Sequence, residues 1–575
     1  MHPHSISPVR ACIAVCALAL MSACARAPAP TPVAEPAPAV AAAPAVALPP
    51  LPDDPAQRRI AEDVRTLASD AFEGREAGTP GYDKAADYVA ERFAAIGLAP
   101  AGEGNGWFQR VPLLKATREE AGAALVVARN GREIALRFRD QYLTGLNYAA
   151  AEHALEAEAV FVGQAVHAPE LKQDDFAGLD LRGKIAVLFS GAPARFDNDR
   201  RAYYSAMQTK QQALVERGAV GMVVVNTPEY EASAPWAQTA EGWAKPGMRL
   251  RDAEGAPIDA FPELRATARV AAAAADLIFA DGPQPAAELF DAARDGTLRG
   301  FALPGTLRLA GRTLIERSES RNVVARLTGS DPARADEHVV YTAHLDHIGI
   351  GVPVNGDAIY NGALDNALGV AVMLEAARIL HARELRPKRS MLFVAVTAEE
   401  KGLLGAEWFA TRPTVPAAGL VANINVDMPV LLAPSKDVVP IGIEHSSLKA
   451  VVETAAQEVG VDLTPDPFPE EVVFVRSDQF AFVRAGVPAV YLNGGLVSAD
   501  GERMPKLAQQ KFMRDHYHRP SDQADLPIAW GDAVRLADLN ARIGGLIGDA
   551  EQRPRWNAGD FFGERFGKKR DEAAR

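Results

Sequence analysis

Residues 338–347 read HVVYTAHLDH and residues 391–400 read MLFVAVTAEE, so each apolar, strand-like run ends directly on histidine or acidic residues. A third run, VANINVDM at 421–428, ends in the same way on Asp427. Apolar runs of this length that alternate with helical segments are typical of parallel sheets. Because the carboxyl ends of such strands carry the binding loops, the three runs predict a site at one edge of a sheet.

The alternation of strands and helices continues on both sides of these runs. Strand-like segments lie at 322–329 and 488–493, and helical periodicity covers 365–380 and 402–410. We therefore predict an α/β fold, in which a mainly parallel, mixed sheet is sandwiched by helices.

Other parts of the chain have a different texture. Residues 56–98 carry helical periodicity that is interrupted by the turn-rich FEGREAGTPGYD, and residues 156–163, 184–191 and 220–226 are short strand-like runs. The predicted organisation is a lipoprotein signal peptide at 1–23, an Ala/Pro-rich tether at 24–54, the first part of the main domain at 55–154, an inserted β-rich module at 155–310, the main core at 311–556 and a loose charged tail at 557–575.

The N-terminus indicates export. Arg10 precedes the apolar run ACIAVCALALMSAC, which is too short to span a membrane as a mature helix and is typical of a secretory signal. Residues 21–24 read MSAC and resemble a bacterial lipobox, in which Cys24 would become the lipidated first residue of the mature protein. Ala25 then favours an anchor in the outer membrane facing the periplasm, and a secreted or periplasmic protein is the alternative if Cys24 is not lipidated.

Composition limits the partners and the metal ligands. The chain has 575 residues and a net charge of −13, which argues against a nucleic-acid or anionic-lipid surface. All three cysteines lie within the first 24 residues, so any metal in the mature protein must be bound by histidine and carboxylate. Nothing in the sequence indicates an oligomeric state.

Six residues form the inventory that a two-metal hydrolase needs: His344, Asp365, Glu399, Glu400, Asp427 and His518. Asp346 could orient the imidazole of His344 through its second ring nitrogen. Glu399 and Glu400 are adjacent like charges that repel unless a cation neutralises them, although acids at a helix start would also fit. Asp365 could alternatively be a helix N-cap.

Two histidines compete with this inventory. His347 follows the motif by one residue, and a histidine there is more often a hydrogen-bonded neighbour than a ligand, so we leave it out of the predicted set. His516 lies in the same polar loop as His518, HYHRPSD at 516–522, and competes for its role.

Taken in order, several motifs resemble those of the M28 family of metallopeptidases. They are HLDHIG, GALDNALG, AEEKGLLGAEWF, NINVDM, SDQFAFVRAGVPAVYL and YHRPSD, preceded by FEGREAGTPGYDKAADYV and IGLAPAG. The module at 155–310 resembles the protease-associated (PA) domain that some members carry as an insertion. The resemblance implies a zinc-exopeptidase-like fold, two Zn²⁺ ions for which Co²⁺ or Mn²⁺ could substitute, and a peptide substrate.

The resemblance also implies a role for each residue. His344 and Asp427 would hold one metal and Glu400 and His518 the other. Asp365 would bridge the two metals, and its peptide bond to Asn366 is expected to be cis. Glu399 would be the general base, Asp346 the residue that orients His344, and Tyr517 a donor to the tetrahedral oxyanion.

An aminopeptidase is the expected activity, and a carboxypeptidase of the same family is the alternative. Arginines clamp the substrate carboxylate in some members, and Arg476 and Arg484 flank the SDQF segment. A catalytically inactive receptor on the same fold is a further alternative, but such relatives have substituted ligands and none of the six residues is substituted here.

Overall fold

The computed structural model describes residues 48–384 and 386–567. The predicted signal peptide, Cys24 and most of the tether therefore lie outside the described residues. The first described helix, Pro55–Leu67, begins where the sequence predicts folded chain to begin, because the Asp54 side chain caps it by accepting hydrogen bonds from the main-chain nitrogens of Ala56 and Gln57.

The C-terminal half of the chain forms a mixed sheet with a parallel centre. From one edge the strands are Asp462–Leu463, Asp437–Ile441, Ala489–Gly494, Leu420–Asn425, His338–His344, Ser390–Val396 and the end of Phe301–Leu327, on which Ala99–Pro100 also pairs. The four central strands run parallel, and the flanking Asp437–Ile441 and Phe301–Leu327 run antiparallel to the central strands that they adjoin. Asp462–Leu463 pairs in parallel with Asp437–Ile441 at the edge. Three of the central strands are buried along their whole length, and Ala489–Gly494 is buried except at the half-buried Asn493, because both sheet faces are covered.

Helices cover the two faces of this sheet. One face packs against Pro55–Leu67, Pro80–Ile96, Leu368–His381, Leu448–Val459 and Trp530–Asp549. The other face packs against Leu404–Thr411 and Gln479–Arg484. Helix Pro505–Asp515 lines a cleft at the carboxyl end of strand His338–His344, and the hairpin Gly349–Val354 with Asp357–Tyr360 packs against the turn Asp70–Arg75. The predicted α/β sandwich is confirmed.

A second β-rich region is built around four parallel strands, Glu152–Phe161, Ile185–Phe189, Gly221–Val225 and Ala266–Val270, with Tyr142–Thr144 antiparallel at the edge. Separate apolar clusters cover its two faces. Its helices are Asn198–Ser205, Met207–Val215, Pro228–Ser233, Trp236–Glu241, Ala275–Phe279 and Ala286–Arg294. The assignment of a PA domain, with bounds at 155–310, stays a prediction.

Long strands connect the two regions. Phe108–Arg129 and Phe301–Leu327 pair antiparallel over most of their length, and both extend from the second region towards the C-terminal sheet. Three short pairings complete the strands: Arg132–Ala135 and Gly247–Leu250 on Phe108–Arg129, and His167–Ala168 with Gln173–Asp174.

The C-terminal segment is packed as far as it is described, which differs from the expected loose tail. Phe562 is fully buried against Phe474 and Phe480, and Asp560 lies 2.8 Å from Nδ1 of His445. Aromatic residues among the charges of this segment account for the difference, because their burial outweighs the cost of ordering the chain. Within 48–384 and 386–567, no helix is both long and apolar enough to cross a bilayer.

Candidate active site

Most of the predicted ligands lie together at the carboxyl ends of three neighbouring parallel strands. His344 is the last residue of its strand and pairs with Val396, three residues before Glu399. On the other side, Thr342 pairs with Asn425, two residues before Asp427. The parallel register therefore places an imidazole between two acidic loops, as the strand ends predict.

The first group of donor atoms surrounds Nε2 of His344. This nitrogen lies 2.9 Å from Oδ1 of Asp427 and 3.3 Å from Oδ1 of Asp365. The His344 and Asp365 side chains are almost completely buried, so the three donor atoms face one another in an interior pocket.

The second group shares Asp365 with the first. Nε2 of His518 lies 3.2 Å from Oδ2 of Asp365 and 3.2 Å from Oε2 of Glu400. Nδ1 of His347, which we left out of the predicted set, lies 2.8 Å from Oε1 of Glu400 and 3.9 Å from Oδ2 of Asp365. The structure thus brings all five predicted ligands together and places Asp365 between the two groups.

The donor chemistry fits a pair of divalent cations. Imidazole nitrogen and carboxylate oxygen are the ligands that zinc accepts in the absence of thiolate. Two sets of donors, each with two buried residues and one half-buried residue, are compact enough to surround one ion. They are His344 with Asp365 and Asp427, and His347 with Asp365 and Glu400. So many buried carboxylates in one place would be costly without a compensating positive charge.

The electrostatics separate the ligand acids from Glu399. Burial acts to raise the pKa of Asp365, but hydrogen bonds with His344 and His518 outweigh it and hold that pKa well below its usual range. Burial and the charge of Asp365 also act to raise the pKa of Glu400, yet His518 and His347 lower it to about 2. Burial raises the pKa of Glu399 well above its usual range, and the charges of Asp427 and Glu400 add to the rise. The carboxylates of Asp365 and Glu400 are therefore held ionised, as metal ligands must be, whereas the raised pKa of Glu399 suits a proton acceptor.

Asp365 is not the N-cap of the following helix, which begins at Leu368. The peptide bond from Asp365 to Asn366 is cis, and this prediction is confirmed. The carboxylate of Asp522 accepts hydrogen bonds from the main-chain nitrogens of Leu364 and Asp365 at 2.9 and 3.0 Å. The loop therefore takes its shape from an acid that follows His518 by four residues.

Asp346 contacts its neighbours differently from the expectation. Its main-chain oxygen, rather than its carboxylate, lies 3.1 Å from Nδ1 of His344, and the carboxylate is 4.0 Å away. The carboxylate instead accepts hydrogen bonds from the main-chain nitrogens of Glu399 and Glu400 at 3.1 and 3.3 Å. The main-chain N–H groups at the start of the acidic loop compete with His344 for the carboxylate. Asp346 therefore orients the acidic loop through its carboxylate and the imidazole through its main-chain oxygen.

Backbone strain accumulates beside the donors. Ala398, Met428 and His518 have positive φ values of 55°, 38° and 54° although none is glycine. Ala398 precedes Glu399, Met428 follows Asp427, and His518 is itself one of the donors. Strained residues of this kind are held by their surroundings and are concentrated at functional sites.

Comparison with known proteins agrees with this geometry. The sequence model of peptidase family M28 matches residues 322–543, which include every predicted ligand. Residues 322–543 belong to peptidase family M28. A probable zinc metalloprotease of Pyrenophora teres f. teres (strain 0-1) is 40% identical over 107 residues, which are 18% of this chain and 22% of that protein. Carboxypeptidase Q of Rattus norvegicus is 31% identical over 148 residues, 26% of this chain and 27% of that protein.

The match therefore spans about a quarter of the length of these curated relatives. Among solved structures, the aminopeptidase from Aneurinibacillus sp. strain AM-1 resembles the chain with a TM-score of 0.51 and 18% identity, over 86% of this chain and 95% of that one. This likeness concerns the fold.

A cleft of about 460 Å³ opens onto the donor groups of the M28 domain. Glu399, Tyr517 and Arg476 are among the residues that line it. The ring of Tyr517 stacks on that of His518, with centroids 3.9 Å apart. Arg476 is exposed, and no acidic side chain among the described residues forms an ion pair with it.

Two of the competing residues lie outside the cluster. Nδ1 of His516 lies 3.1 Å from both the main-chain oxygen and Oγ of Ser521, so His518 alone of the two reaches the donors. Arg484 lies 2.8 Å from Glu407 and does not line the cleft.

Sequence reasoning missed three residues that shape the M28 site. His347 contacts Glu400, Asp522 holds the Asp365 loop, and Arg75 donates to main-chain oxygens around both loops. His347 and Asp522 could have been found from the sequence, because they lie inside the motifs HLDHIG and YHRPSD. Arg75 lies in FEGREAGTPGYD, about 270 residues before the loops it holds, and its spacing reveals nothing about its contacts.

Proposed function

We propose that the chain is an exported two-zinc exopeptidase that removes N-terminal residues from peptides. The observation that carries this proposal is the shared position of the buried Asp365 between two donor groups, with Glu399 beside them in an open cleft. Similarity to the M28 family over residues 322–543 supports peptide-bond hydrolysis.

Different residues of the site would bind the metal ions and transfer the proton. His344, Asp365 and Asp427 would hold one zinc ion, and Asp365, Glu400 and His518 the other. When bound, the ions would polarise the scissile carbonyl and acidify the attacking water. Glu399 takes a proton from that water and then delivers it to the nitrogen of the leaving amine, so one residue acts as base and later as acid.

Tyr517 is the proposed donor to the oxyanion. Its ring is fixed against His518 at the cleft wall, and burial together with the nearby charges of Asp365, Glu400 and Glu399 raises the pKa of its hydroxyl. The hydroxyl therefore keeps its proton over the whole working range and can donate a hydrogen bond to a developing negative charge.

A carboxypeptidase is the second candidate, because Arg476 offers an exposed guanidinium in the cleft. Such a group binds carboxylates well, including the free C-terminus of a peptide. For this activity Arg476→Gln should raise KM by more than about tenfold for substrates with a free carboxylate, whereas the aminopeptidase should lose little affinity for aminoacyl anilides.

The decisive experiment measures zinc content together with hydrolysis of two substrate sets, aminoacyl p-nitroanilides and N-blocked dipeptides. About two zinc equivalents with cleavage of free-amine substrates alone would support the aminopeptidase. Cleavage of the blocked dipeptides alone would favour the carboxypeptidase. Absence of both metal and turnover after addition of zinc or cobalt would contradict the proposal and favour an inactive receptor.

We also propose that the mature protein is lipid-anchored through Cys24 on the periplasmic side of the outer membrane, and that residues 155–310 form a PA domain. The lipobox-like MSAC at 21–24 supports the anchor. Cys24→Ser should abolish incorporation of a labelled fatty acid without lowering hydrolysis. Fatty-acid labelling that survives this substitution would rule out Cys24 as the anchor.

A further inference from the structure

His347 is a buried imidazole at the second donor group that the proposed chemistry does not use. Its side chain is fully buried, and Nδ1 lies 2.8 Å from Oε1 of Glu400. The other oxygen of that carboxylate, Oε2, faces Nε2 of His518 at 3.2 Å. The two oxygens of Glu400 are therefore divided between two histidines.

Neighbouring residues fix the orientation of the ring. A Cβ at Gly362, which has a φ of 60°, would lie 2.6 Å from Cδ2 of His347, so the absence of a side chain there leaves room for the imidazole. The main-chain nitrogen of His347 donates to the main-chain oxygen of Arg75 at 3.2 Å. The contact with Glu400 is therefore held from two sides.

His347 could act on a cation directly or through Glu400, and its second nitrogen distinguishes the two modes. A metal-bound histidine usually donates from its other nitrogen to a carboxylate or carbonyl. His344 has such a contact, with Nδ1 lying 3.1 Å from the main-chain oxygen of Asp346. Nε2 of His347 is buried and has no hydrogen-bond partner among the residues that the structure describes.

The absence of that partner argues against a ligand. If Nδ1 bound a cation, neutral His347 would have to carry its proton on Nε2, as a buried donor without an acceptor. With the proton on Nδ1, the ring instead donates to the negatively charged Glu400, and Nε2 is left as an unused acceptor. The second tautomer satisfies the one donor of the ring with a charge-assisted hydrogen bond.

We propose that His347 is a positioning residue for the second metal site: its Nδ1–H holds Oε1 of Glu400 and so presents Oε2 to the cation shared with His518 and Asp365. This inference rests on the proposed two-metal function. At the second site the imidazole of His347 would orient the carboxylate of Glu400. At the first site the main-chain oxygen of Asp346 would orient the imidazole of His344.

Two substitutions of similar size test the proposal. In His347→Asn the amide nitrogen can take the place of Nδ1 and donate to Glu400, whereas His347→Leu fills the space without a donor. Zinc affinity of each site is measured by titrating the full-length protein against a competing chelator. Loss of an orienting contact of this kind typically lowers affinity by about 10- to 100-fold.

We expect His347→Leu to lower the affinity for the second zinc equivalent by about 10- to 100-fold. His347→Asn should keep that affinity within a few-fold of the wild type. The first equivalent should bind equally tightly in all three proteins. X-ray absorption at the zinc edge should give the same number of coordinated imidazoles in the wild type and in His347→Asn. Thermal unfolding of the metal-free proteins checks that both variants fold.

Other results would overturn the proposal. If the imidazole count falls in both variants and neither retains the second zinc, His347 is itself a ligand. If both variants bind two zinc ions as tightly as the wild type, the contact with Glu400 has no positioning role. A wild-type protein that binds fewer than two ions would contradict the proposed function itself, a result that the titration distinguishes from a defect confined to the variants.

Discussion

Glu399 differs from the ligand acids in its surroundings. Asp365, Glu400 and Asp427 each lie within hydrogen-bonding distance of a histidine, whereas no described side chain lies within that distance of the Glu399 carboxylate. It faces the cleft, and its pKa is raised by burial and by the negative charges around it. A single residue with these properties is suited to proton transfer rather than to metal binding.

Glu399→Gln should leave the zinc content and the fold unchanged and should lower kcat by about 10²- to 10⁴-fold, because the amide has no basic oxygen with which to accept a proton. Steady-state kinetics and zinc analysis of the same preparation check this result. Glu263→Gln, on the exposed surface, is the matched control. Substantial activity in Glu399→Gln would remove this residue as the base.

Asp365→Ala should lower zinc affinity at both sites, because its two oxygens face different donor groups. The measurement is zinc content after dialysis against a weak chelator, compared with Asp427→Ala, which should affect one site only. Retention of one tightly bound equivalent in Asp365→Ala would show that the residue serves a single site.

Arg75 joins the N-terminal helices to the site. Its guanidinium donates to the main-chain oxygens of Leu67, Leu345, Asn361 and Gly362 at 2.6 to 2.9 Å, and the side chain is completely buried. Burial lowers its pKa to about 10, although Asp522 and Asp365 act to raise it. The guanidinium thus remains charged at neutral pH and holds the loops of His344 and Asp365 together.

Arg75→Met should lower the free energy of unfolding by several kcal/mol, on the order of 2–4, because buried carbonyl oxygens lose their donors. Zinc affinity should fall as well, since the two ligand loops are no longer joined. Urea denaturation and chelator competition measure these effects.

The control for this prediction is Arg110→Met, at an exposed arginine that lies 3.5 Å from Glu319. It should change stability by less than about 0.5 kcal/mol. Equal stability of the two variants would show that Arg75 does not support the site.

Separate apolar clusters stabilise the C-terminal sheet and the second β-rich region. The second region contains a buried titratable group of its own. Nζ of Lys210, in helix Met207–Val215, donates to the main-chain oxygens of Gly191 and Gln164, and burial lowers its pKa to about 7. It offers a pH-dependent measure of stability that is independent of the metal site.

The stability difference between the wild type and Lys210→Met should rise between about pH 7 and 10. Over this range the lysine is charged when unfolded and neutral when folded, so the unfolded state binds more protons and the native state gains stability as pH increases. The slope is at most about 1.4 kcal/mol per pH unit. Urea denaturation at several pH values measures it, with the exposed Lys449→Met as control, and a flat difference would show that the folded lysine stays charged.

The fold class and the predicted inventory of the site follow from local sequence patterns. Apolar runs that end on His344, Glu399 and Asp427 predict both the parallel sheet and the edge at which these residues meet, because strand direction fixes where strand ends lie. Their chemistry also restricts the metal to one that nitrogen and oxygen donors bind.

Contacts between groups that are distant in sequence come from the folded arrangement. Arg75 donates to the main-chain oxygen of Leu345, 270 residues later in the chain. The Asp346 carboxylate contacts the acidic loop, and His347 contacts Glu400. Phe562 packs a segment that the sequence predicts to be loose. The periodicity of apolar residues shows which side chains of one helix or strand are buried on the same face. It does not show how elements that are distant in sequence are placed, and these contacts depend on that placement.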